Sequence, residues 1–322
     1  MKELSKADSS QEAAGQDTPF PPVTKGQPAG IKKASFIQRL ITGAVFALLF
    51  IACIVAGNLF MLLPLLMMTF ALIGTAEFYR IVSPDMPKVL KCLGMICAAS
   101  MPFAIFIANL LTTEGRFILG AGNLGDMAVL FYIILFALAL YMSCVALSAQ
   151  SKIKDAAFSF FGALYLGVPL SSLLLIRDMS DGVVLALAVV FSIWAADSFA
   201  YLGGSLFGRH KLAPKISPKK SWEGLLAGTL GAIAFWYLIP FAFMGTASWL
   251  AAIVAGCIVS ATSLVGDLFQ SRIKRAAGVK DSGTLLPGHG GILDRIDSLL
   301  LTAPLMFLLL STVGIALGLV GS

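Results

Sequence analysis

The chain has few charged residues and no polar segment long enough to fold as a soluble domain. Only 12% of its 322 residues are charged, whereas 58% are hydrophobic, and the mean hydropathy is +0.90. Soluble domains carry about a quarter charged residues. A chain with so little polar surface cannot coat a water-exposed core. The composition therefore excludes a soluble globular protein and indicates a polytopic membrane protein.

Cysteines at paired spacings are also lacking, and no cleavable signal peptide is expected. The five cysteines stand singly in apolar segments, and none forms a CxxC pair: Cys53, Cys92, Cys97, Cys144 and Cys257. An odd number of cysteines is a poor disulfide framework, and we interpret them as small hydrophobic residues. Residues 1–34 are too long and polar for the start of a signal peptide. We expect them to form a disordered cytoplasmic tail.

Apolar runs of membrane-spanning length recur along the rest of the chain. A hydrocarbon core about 30 Å thick needs roughly 20 helical residues. We therefore expect an all-α bundle of about nine transmembrane spans, at residues 40–56, 58–74, 89–111, 126–147, 156–176, 182–202, 224–244, 248–268 and 298–320. Gly57-Asn58, a turn signal, separates the first two spans.

The basic residues predict the orientation of these spans. Of the 23 Lys and Arg residues, 21 fall on one side, in residues 1–39 before the first span and in residues 75–91, 148–155, 203–223 and 269–297. Basic residues concentrate in cytoplasmic loops. We therefore expect a multi-pass protein of the plasma (inner) membrane, with its N-terminus cytoplasmic and its C-terminus outside.

We divide the chain into three parts on this basis. Residues 1–34 are the tail, residues 35–176 form the N-terminal transmembrane helices, and residues 177–322 form a C-terminal catalytic region. The last region contains the two longest internal polar stretches, 203–223 and 269–297, which we expect to be cytoplasmic loops. These loops lack interleaved aromatic residues and lie against the membrane, so no nucleic-acid partner is expected.

The strongest group of polar residues lies at the predicted cytoplasmic ends of the last two spans. Asp267 closes the eighth span, and Ser271 and Lys274 share its face if the helix continues. Asp294 stands where the chain re-enters the membrane. Carboxylates near membrane depth are costly and usually functional. We expect Asp267 and Asp294 to converge on one divalent cation, because Mg²⁺ prefers a few carboxylates together with water and phosphate oxygens.

Basic residues and a glycine-rich turn surround these two acids. The Pro-Gly-His-Gly-Gly run at 287–291 cannot be helical, and its exposed amides allow a phosphate to approach closely. Asp297 follows Asp294 by three residues, on a first helical turn that favours anions. The positive field that a triphosphate needs comes from four residues: Lys274, Arg275, Lys280 and Arg295.

A second group of polar residues begins inside the sixth span. Asp197 lies within that span, and Gly204 and Gly208 follow at a spacing that lets a helix or a ligand approach the backbone. An unpaired acid at Asp197 would be costly. The adjoining loop carries Lys219 and Lys220, with Ser217 nearby.

These residues resemble the signature of the phosphatidate cytidylyltransferase (CDP-diacylglycerol synthase) family. The resemblance is dense across Ser271-x-x-Lys274-Arg275-x4-Lys280-Asp281 and Leu286-Pro287-Gly288-His289-Gly290-Gly291-x-x-Asp294-Arg295-x-Asp297. The region from Trp194 to Glu223 is also similar to the family. The first 150 residues match mainly in being apolar helices.

The resemblance implies a reaction and roles for individual residues. CTP and phosphatidic acid would give CDP-diacylglycerol and pyrophosphate, with Mg²⁺ required and a second cation left open. Asp267 and Asp294 would be catalytic metal ligands, in one pocket with Ser271, Lys274, Arg275 and Asp297. Further substrate-binding residues would be Asp197, Ser217, Lys219, Lys220, Lys280, His289 and Arg295. The family also implies a homodimer, with membrane lipid around it.

Charge and spacing alone leave other functions open. Asp197, Asp267 and Asp294 would also suit an ion path in a transporter or channel, although the acids cluster near one face and no inverted repeat is evident. A CDP-alcohol phosphotransferase would carry several Asp residues on one helical stretch, which the chain lacks. A polyprenol kinase would use the same metal and basic groups. Only the resemblance names cytosine.

Overall fold

The computed structural model describes residues 34–56, 61–114, 153–244, 248–285 and 290–317, with isolated helical positions between 134 and 142. The described helices are α1 Ala34–Ala56, α2 Leu62–Val82, α3 Lys88–Glu114, α4 Ile153–Arg177, α5 Gly182–Phe207, α6 Trp222–Met244, α7 Trp249–Ala276, α8 Leu293–Ile296 and α9 Leu299–Leu317. Two strands, β1 Lys211–Ala213 and β2 Ser217–Ser221, lie between α5 and α6.

Long apolar helices dominate the described part of the chain. Six of them are long and apolar enough to cross a membrane: α2, α3, α4, α5, α6 and α7. Their outer surfaces expose large apolar side chains such as Leu65, Leu206 and Leu230, as expected of helices that face lipid. The all-α membrane bundle is therefore confirmed. The tail and most of the span expected at 126–147 lie outside the described residues, so the count of nine spans and the orientation stay predictions.

Several helices continue beyond the apolar runs that predicted them, and α2 and α7 do so by the most residues. The second span was expected to end at residue 74, but α2 continues to Val82, and α7 continues past residue 268 to Ala276. An apolar run reports only the part of a helix that lies in hydrocarbon, whereas the backbone can stay helical as it leaves the membrane. These extensions carry polar residues of α2 and α7 beyond the apolar runs on rigid helices.

The segment 203–223 is more ordered than the loop expected from its sequence. After α5 ends at Phe207, β1 and β2 form an antiparallel hairpin in which Lys211 pairs with Ser221. The strand sequence Ser-Pro-Lys-Lys-Ser has no apolar alternation, so it gives no strand signal. The hairpin fixes the position of the two lysines that precede α6.

The bundle consists of two packed groups of helices joined by α9. Helices α2, α3 and α4 pack together, as do α5, α6 and α7, and α9 contacts both α4 and α7. Leu166 of α4, Val259 of α7 and Ala303 of α9 are among the fully buried residues of one continuous apolar core. The N-terminal helices and the C-terminal helices therefore share a core.

Segments expected to be cytoplasmic meet at one end of the bundle. Ser83 Oγ donates to Asp155 Oδ1 at 2.8 Å, which joins the loop after α2 to the start of α4. Arg80 donates to the carbonyl of Ser282, which joins α2 to the segment after α7. Contacts between these segments agree with the prediction that they lie on the same side of the membrane.

Candidate active site

A cavity of about 390 Å³ opens between α5, α6, α7 and the hairpin. Three carboxylates from separate elements line it: Asp197 of α5, Asp267 of α7, and Asp297 between α8 and α9. The hairpin contributes Ser217, Lys219 and Lys220. The cavity therefore brings together acidic and basic residues of both polar groups found in the sequence.

Close packing of α5 against α6 positions Asp197 at this cavity. A Cβ atom added to Gly228 would lie 2.7 Å from the carbonyl oxygen of Ala196, and one added to Gly224 would lie 2.8 Å from that of Ala200. Glycine therefore allows the two backbones to touch. Asp197, between these contacts in sequence, accepts a hydrogen bond from Ser263 Oγ of α7 at 3.2 Å.

Asp267 links α7 to the hairpin. Lys220 Nζ lies 2.7 Å from Asp267 Oδ2, and the two side chains are partly exposed to the cavity. Ser271 Oγ donates to Asp267 Oδ1 at 3.3 Å, one helical turn away. The helix continues through these positions, so the predicted common face of Asp267, Ser271 and Lys274 is confirmed.

Asp294 lies in a dense set of hydrogen bonds. Lys274 Nζ is 2.7 Å from Asp294 Oδ1, and the backbone amides of Ser282 and Gly291 donate to Oδ2 at 2.7 and 3.0 Å. Burial acts to raise the pKa of Asp294, but the Lys274 hydrogen bond and the two amides outweigh it and lower that pKa below its ordinary value. Asp294 is therefore held as a carboxylate.

Asp297 lies close to Asp267 and Asp197, whose negative charges disfavour its ionised form. Burial, followed by the charge of Asp267, raises the pKa of Asp297 to about 7. The backbone amide of Ser298 donates to Asp297 Oδ1 at 2.7 Å, which offsets part of this shift. An excess of negative charge at this position favours a bound cation.

Asp267 and Asp294 do not line the same cavity. Asp294 lines a second cavity of about 200 Å³, next to α1 and α5, and Asp197 and Asp297 line both cavities. The four acids therefore form a row rather than the single pair expected from the sequence. Within the described ranges, no three His, Cys, Asp or Glu side chains form a group that could hold a metal ion. Instead, Lys220 forms an ion pair with Asp267, and Lys274 forms an ion pair with Asp294.

Only one of four other residues predicted for the site lines a cavity of the four acids in the described part of the chain. Arg295 lines the second cavity. Arg275 is exposed and donates to the carbonyl of Val279 at 3.4 Å, and Lys280 is also exposed. Neither of these two residues lines the cavities formed by the four acids. His289 lies outside the described residues.

The structure adds residues that the sequence did not place in the site. Glu77 and Arg80 stand three residues apart, a spacing that favours a pair between them. Each binds the segment after α7 instead: Glu77 accepts from Ser282 Oγ at 2.9 Å, and Arg80 donates to the Ser282 carbonyl. No local sequence signal links residues separated by more than 200 positions in the chain. Their only signal was that they are charged residues near the end of an apolar span.

Comparison with known proteins shows which family and which proteins this chain is similar to. The model of the cytidylyltransferase family matches residues 37–313. A Staphylococcus epidermidis protein named phosphatidate cytidylyltransferase is 32% identical over 277 residues, which cover 84% of this chain and 98% of the relative. Proteins of the same name from Rickettsia typhi and Haemophilus influenzae are 34% and 46% identical, over 55% and 40% of this chain.

The extent of these matches differs. The Rickettsia typhi match covers 80% of that relative, and the Haemophilus influenzae match covers 46% of its relative. The family match includes all of the acids and lysines that line the two cavities, since it runs from α1 to α9. The chain therefore belongs to the cytidylyltransferase family and is a membrane-embedded nucleotidyltransferase.

Proposed function

We propose that the chain is a phosphatidate cytidylyltransferase, which transfers CMP from CTP to phosphatidic acid and releases pyrophosphate. The names of its relatives support this activity. The observation that carries the proposal is the row of acids and lysines at one end of a bundle of apolar helices. There a lipid phosphate can reach the site while its acyl chains stay in the membrane.

The chemistry requires charge neutralisation more than a base. An oxygen of the phosphatidic acid phosphate attacks the α-phosphorus of CTP, and the bond from that phosphorus to the oxygen bridging to the β-phosphate breaks. The attacking phosphate is already anionic at neutral pH, so no side chain needs to remove a proton from it. The main barrier is to bring two polyanions together and align them.

The lysines of the site suit this task. Lys220 and Lys274 hold Asp267 and Asp294 in the protein without substrate. When phosphates enter, each lysine can transfer hydrogen bonds from its carboxylate to phosphate oxygens, with a short movement of a flexible side chain. Lys219 and Ser217 line the same cavity, and Arg295 lines the neighbouring one. Exposed Arg275 and Lys280 would add positive charge near the entrance.

Mg²⁺ is the cation that we propose for this site, with Asp267 and Asp294 as its ligands. The chemistry of the donors suits a hard cation, because carboxylate oxygens are its preferred ligands, and Asp197, Asp267, Asp294 and Asp297 line two cavities that share Asp197 and Asp297. For both proposed ligands to reach one ion, Lys274 would have to release Asp294. When bound, the cation would neutralise phosphate oxygens and stabilise the pyrophosphate leaving group.

The cellular setting is proposed on the same basis. The basic residues predict that the site faces the cytoplasm, where CTP is available. Several relatives are bacterial, which supports the inner membrane as the location. The homodimer implied by the family resemblance stays a prediction, which light scattering of the purified protein in detergent tests.

One assay separates this activity from related ones. The purified protein would be given phosphatidic acid, Mg²⁺ and each nucleoside triphosphate in turn, labelled at the α- or the γ-phosphate. We expect label in lipid only from α-labelled cytidine nucleotides, with pyrophosphate formed in equal amount. Transfer of the γ-phosphate would instead identify a lipid kinase, and absence of any lipid label would contradict the proposal.

A further inference from the structure

Glu77 is a buried carboxylate outside both cavities of the proposed active site. It belongs to α2, in the N-terminal half of the chain, and only 6% of its surface is exposed. A buried charge is tolerated only where hydrogen bonds or an opposite charge compensate it. The partners of Glu77 therefore indicate why the helix keeps an acid at this position.

Within the described part of the chain, three donors bind Glu77, and they come from the two ends of one loop. Ser282 Oγ and the amide of Leu293 donate to Oε2, each at 2.9 Å, and the amide of Ile292 donates to Oε1 at 3.2 Å. One carboxylate thus ties residue 282 to residues 292–293. The loop between them contains the glycine-rich turn of the family signature.

Two glycines let the loop close around this carboxylate. A Cβ atom added to Gly283 would lie 2.4 Å from Glu77 Oε1, and one added to Gly291 would lie 2.3 Å from Oε2. At these distances a side chain on either glycine would displace the carboxylate, so the backbone on both sides lies directly against the acid.

The residues that bind Glu77 are the same as, or next to, those that donate hydrogen bonds to Asp294. The amide of Ser282 donates to Asp294 Oδ2 at 2.7 Å while its hydroxyl donates to Glu77. Gly291, whose amide donates to the same Asp294 oxygen, directly precedes Ile292. Arg80 fixes the Ser282 carbonyl from the other side. Each polar group of Ser282 is therefore used to connect α2 with Asp294.

We propose that Glu77 is a positioning residue for nucleotidyl transfer, which acts through the 282–293 loop to hold Asp294 in its reactive orientation. Glu77 itself touches neither substrate nor the cavities of the four acids. A helix of the N-terminal half thereby sets the geometry of acids and lysines that all belong to C-terminal elements. The activity part of this inference rests on the proposed function.

Glu77→Gln tests the inference with almost no change in size. A glutamine offers one oxygen, and its amide group would face at least one backbone N–H that now donates to the carboxylate. We expect kcat to fall about 10-fold to 100-fold, because small misplacements of reacting groups are that costly. The melting temperature should stay near that of the wild type.

Hydrogen exchange gives a readout that does not depend on activity. In full-length Glu77→Gln without substrate, peptides covering 282–293 should exchange about fivefold faster or more, as expected when hydrogen bonds are lost. Exchange elsewhere should be unchanged. The matched control is Asp155→Asn, another buried acid at the same end of the bundle, which binds Ser83 and not the loop. It should leave exchange of 282–293 and kcat unchanged.

The outcomes separate the inference from the proposed function. A wild-type protein that transfers no CMP would overturn the proposed function, while the exchange data would still decide whether Glu77 orders the loop. Wild-type kcat or unchanged loop exchange in Glu77→Gln would overturn the inference, as would faster exchange across the whole bundle. If Glu77→Gln does not fold, Ser282→Ala takes its place, and wild-type exchange and kcat in that variant would overturn the inference.

Discussion

Lys274 and Asp294 form an ion pair that joins the end of α7 to α8. Their charged atoms are 2.7 Å apart, and the side chains are only 12% and 6% exposed. A pair this enclosed is weakly screened by solvent, and breaking it leaves an unpaired charge. Because Asp294 also receives two backbone amides, the pair fixes α8 and the loop before it relative to α7.

Lys274→Met is expected to lower the rate of CMP transfer about 100-fold, because the site loses a cation that faces developing negative charge. Stability should fall as well, since Asp294 keeps its burial without its partner. The measurement is kcat/KM for CTP, with thermal unfolding of the same samples. Lys91→Met is the control, because Lys91 binds the Pro84 carbonyl and no acid of the site. Equal activity of the two variants would contradict a role for Lys274.

Asp267→Asn and Asp294→Asn are expected to weaken binding of a divalent cation about tenfold or more, because each removes a charged ligand. Titration with Mn²⁺, followed by electron paramagnetic resonance, measures this without any substrate. Asp155→Asn should bind Mn²⁺ as the wild type does. Unchanged Mn²⁺ affinity in Asp294→Asn alone would remove Asp294 from the ligand set and leave the cation with the acids of the larger cavity.

The stability of the cation-free protein is expected to fall as the pH rises from about 5 to about 8. The folded protein raises the pKa of Asp297 to about 7, whereas an unfolded Asp titrates near 3.9. Between about pH 3.9 and pH 7, the folded state binds a proton on Asp297 that the unfolded state does not bind. The free energy of unfolding therefore decreases as the pH rises through this range and past 7. Asp294 has a lowered pKa, so its contribution to the free energy of unfolding is lost only when the pH falls below this range.

Thermal unfolding in EDTA measures this effect, and Asp297→Asn isolates it from other titrating groups. The variant should lack the Asp297 component and therefore lose less stability between pH 5 and 8 than the wild type. An identical loss in both proteins would show that Asp297 does not titrate in this range.

The sequence located the acids that line the cavities better than it located the partners of those acids. Asp197, Asp267 and Asp297 are acids within or next to apolar spans, where an uncompensated charge is costly, and all three line one cavity. The pairing of Asp294 with Lys274 rather than with Asp267 depends on the path of the 282–293 loop. A loop path is set by tertiary contacts, which have no periodic signature in the chain.

The fold was also predictable only in part. Apolar runs located the long helices because lipid demands about 20 apolar residues from each crossing. They did not show that α2 and α7 continue beyond those runs, or that a polar hairpin follows α5. The role of Glu77 was also not predictable, since its partners lie more than 200 residues away.

The rate of CMP transfer from α-labelled CTP to phosphatidic acid in Asp294→Asn tests the central claim most directly. With the wild type and Asp155→Asn measured beside it, we predict a loss of about 100-fold or more in Asp294→Asn only. Expression and melting temperature should show that the variant is folded. Transfer at the wild-type rate by folded Asp294→Asn would contradict the placement of the reaction at this row of acids.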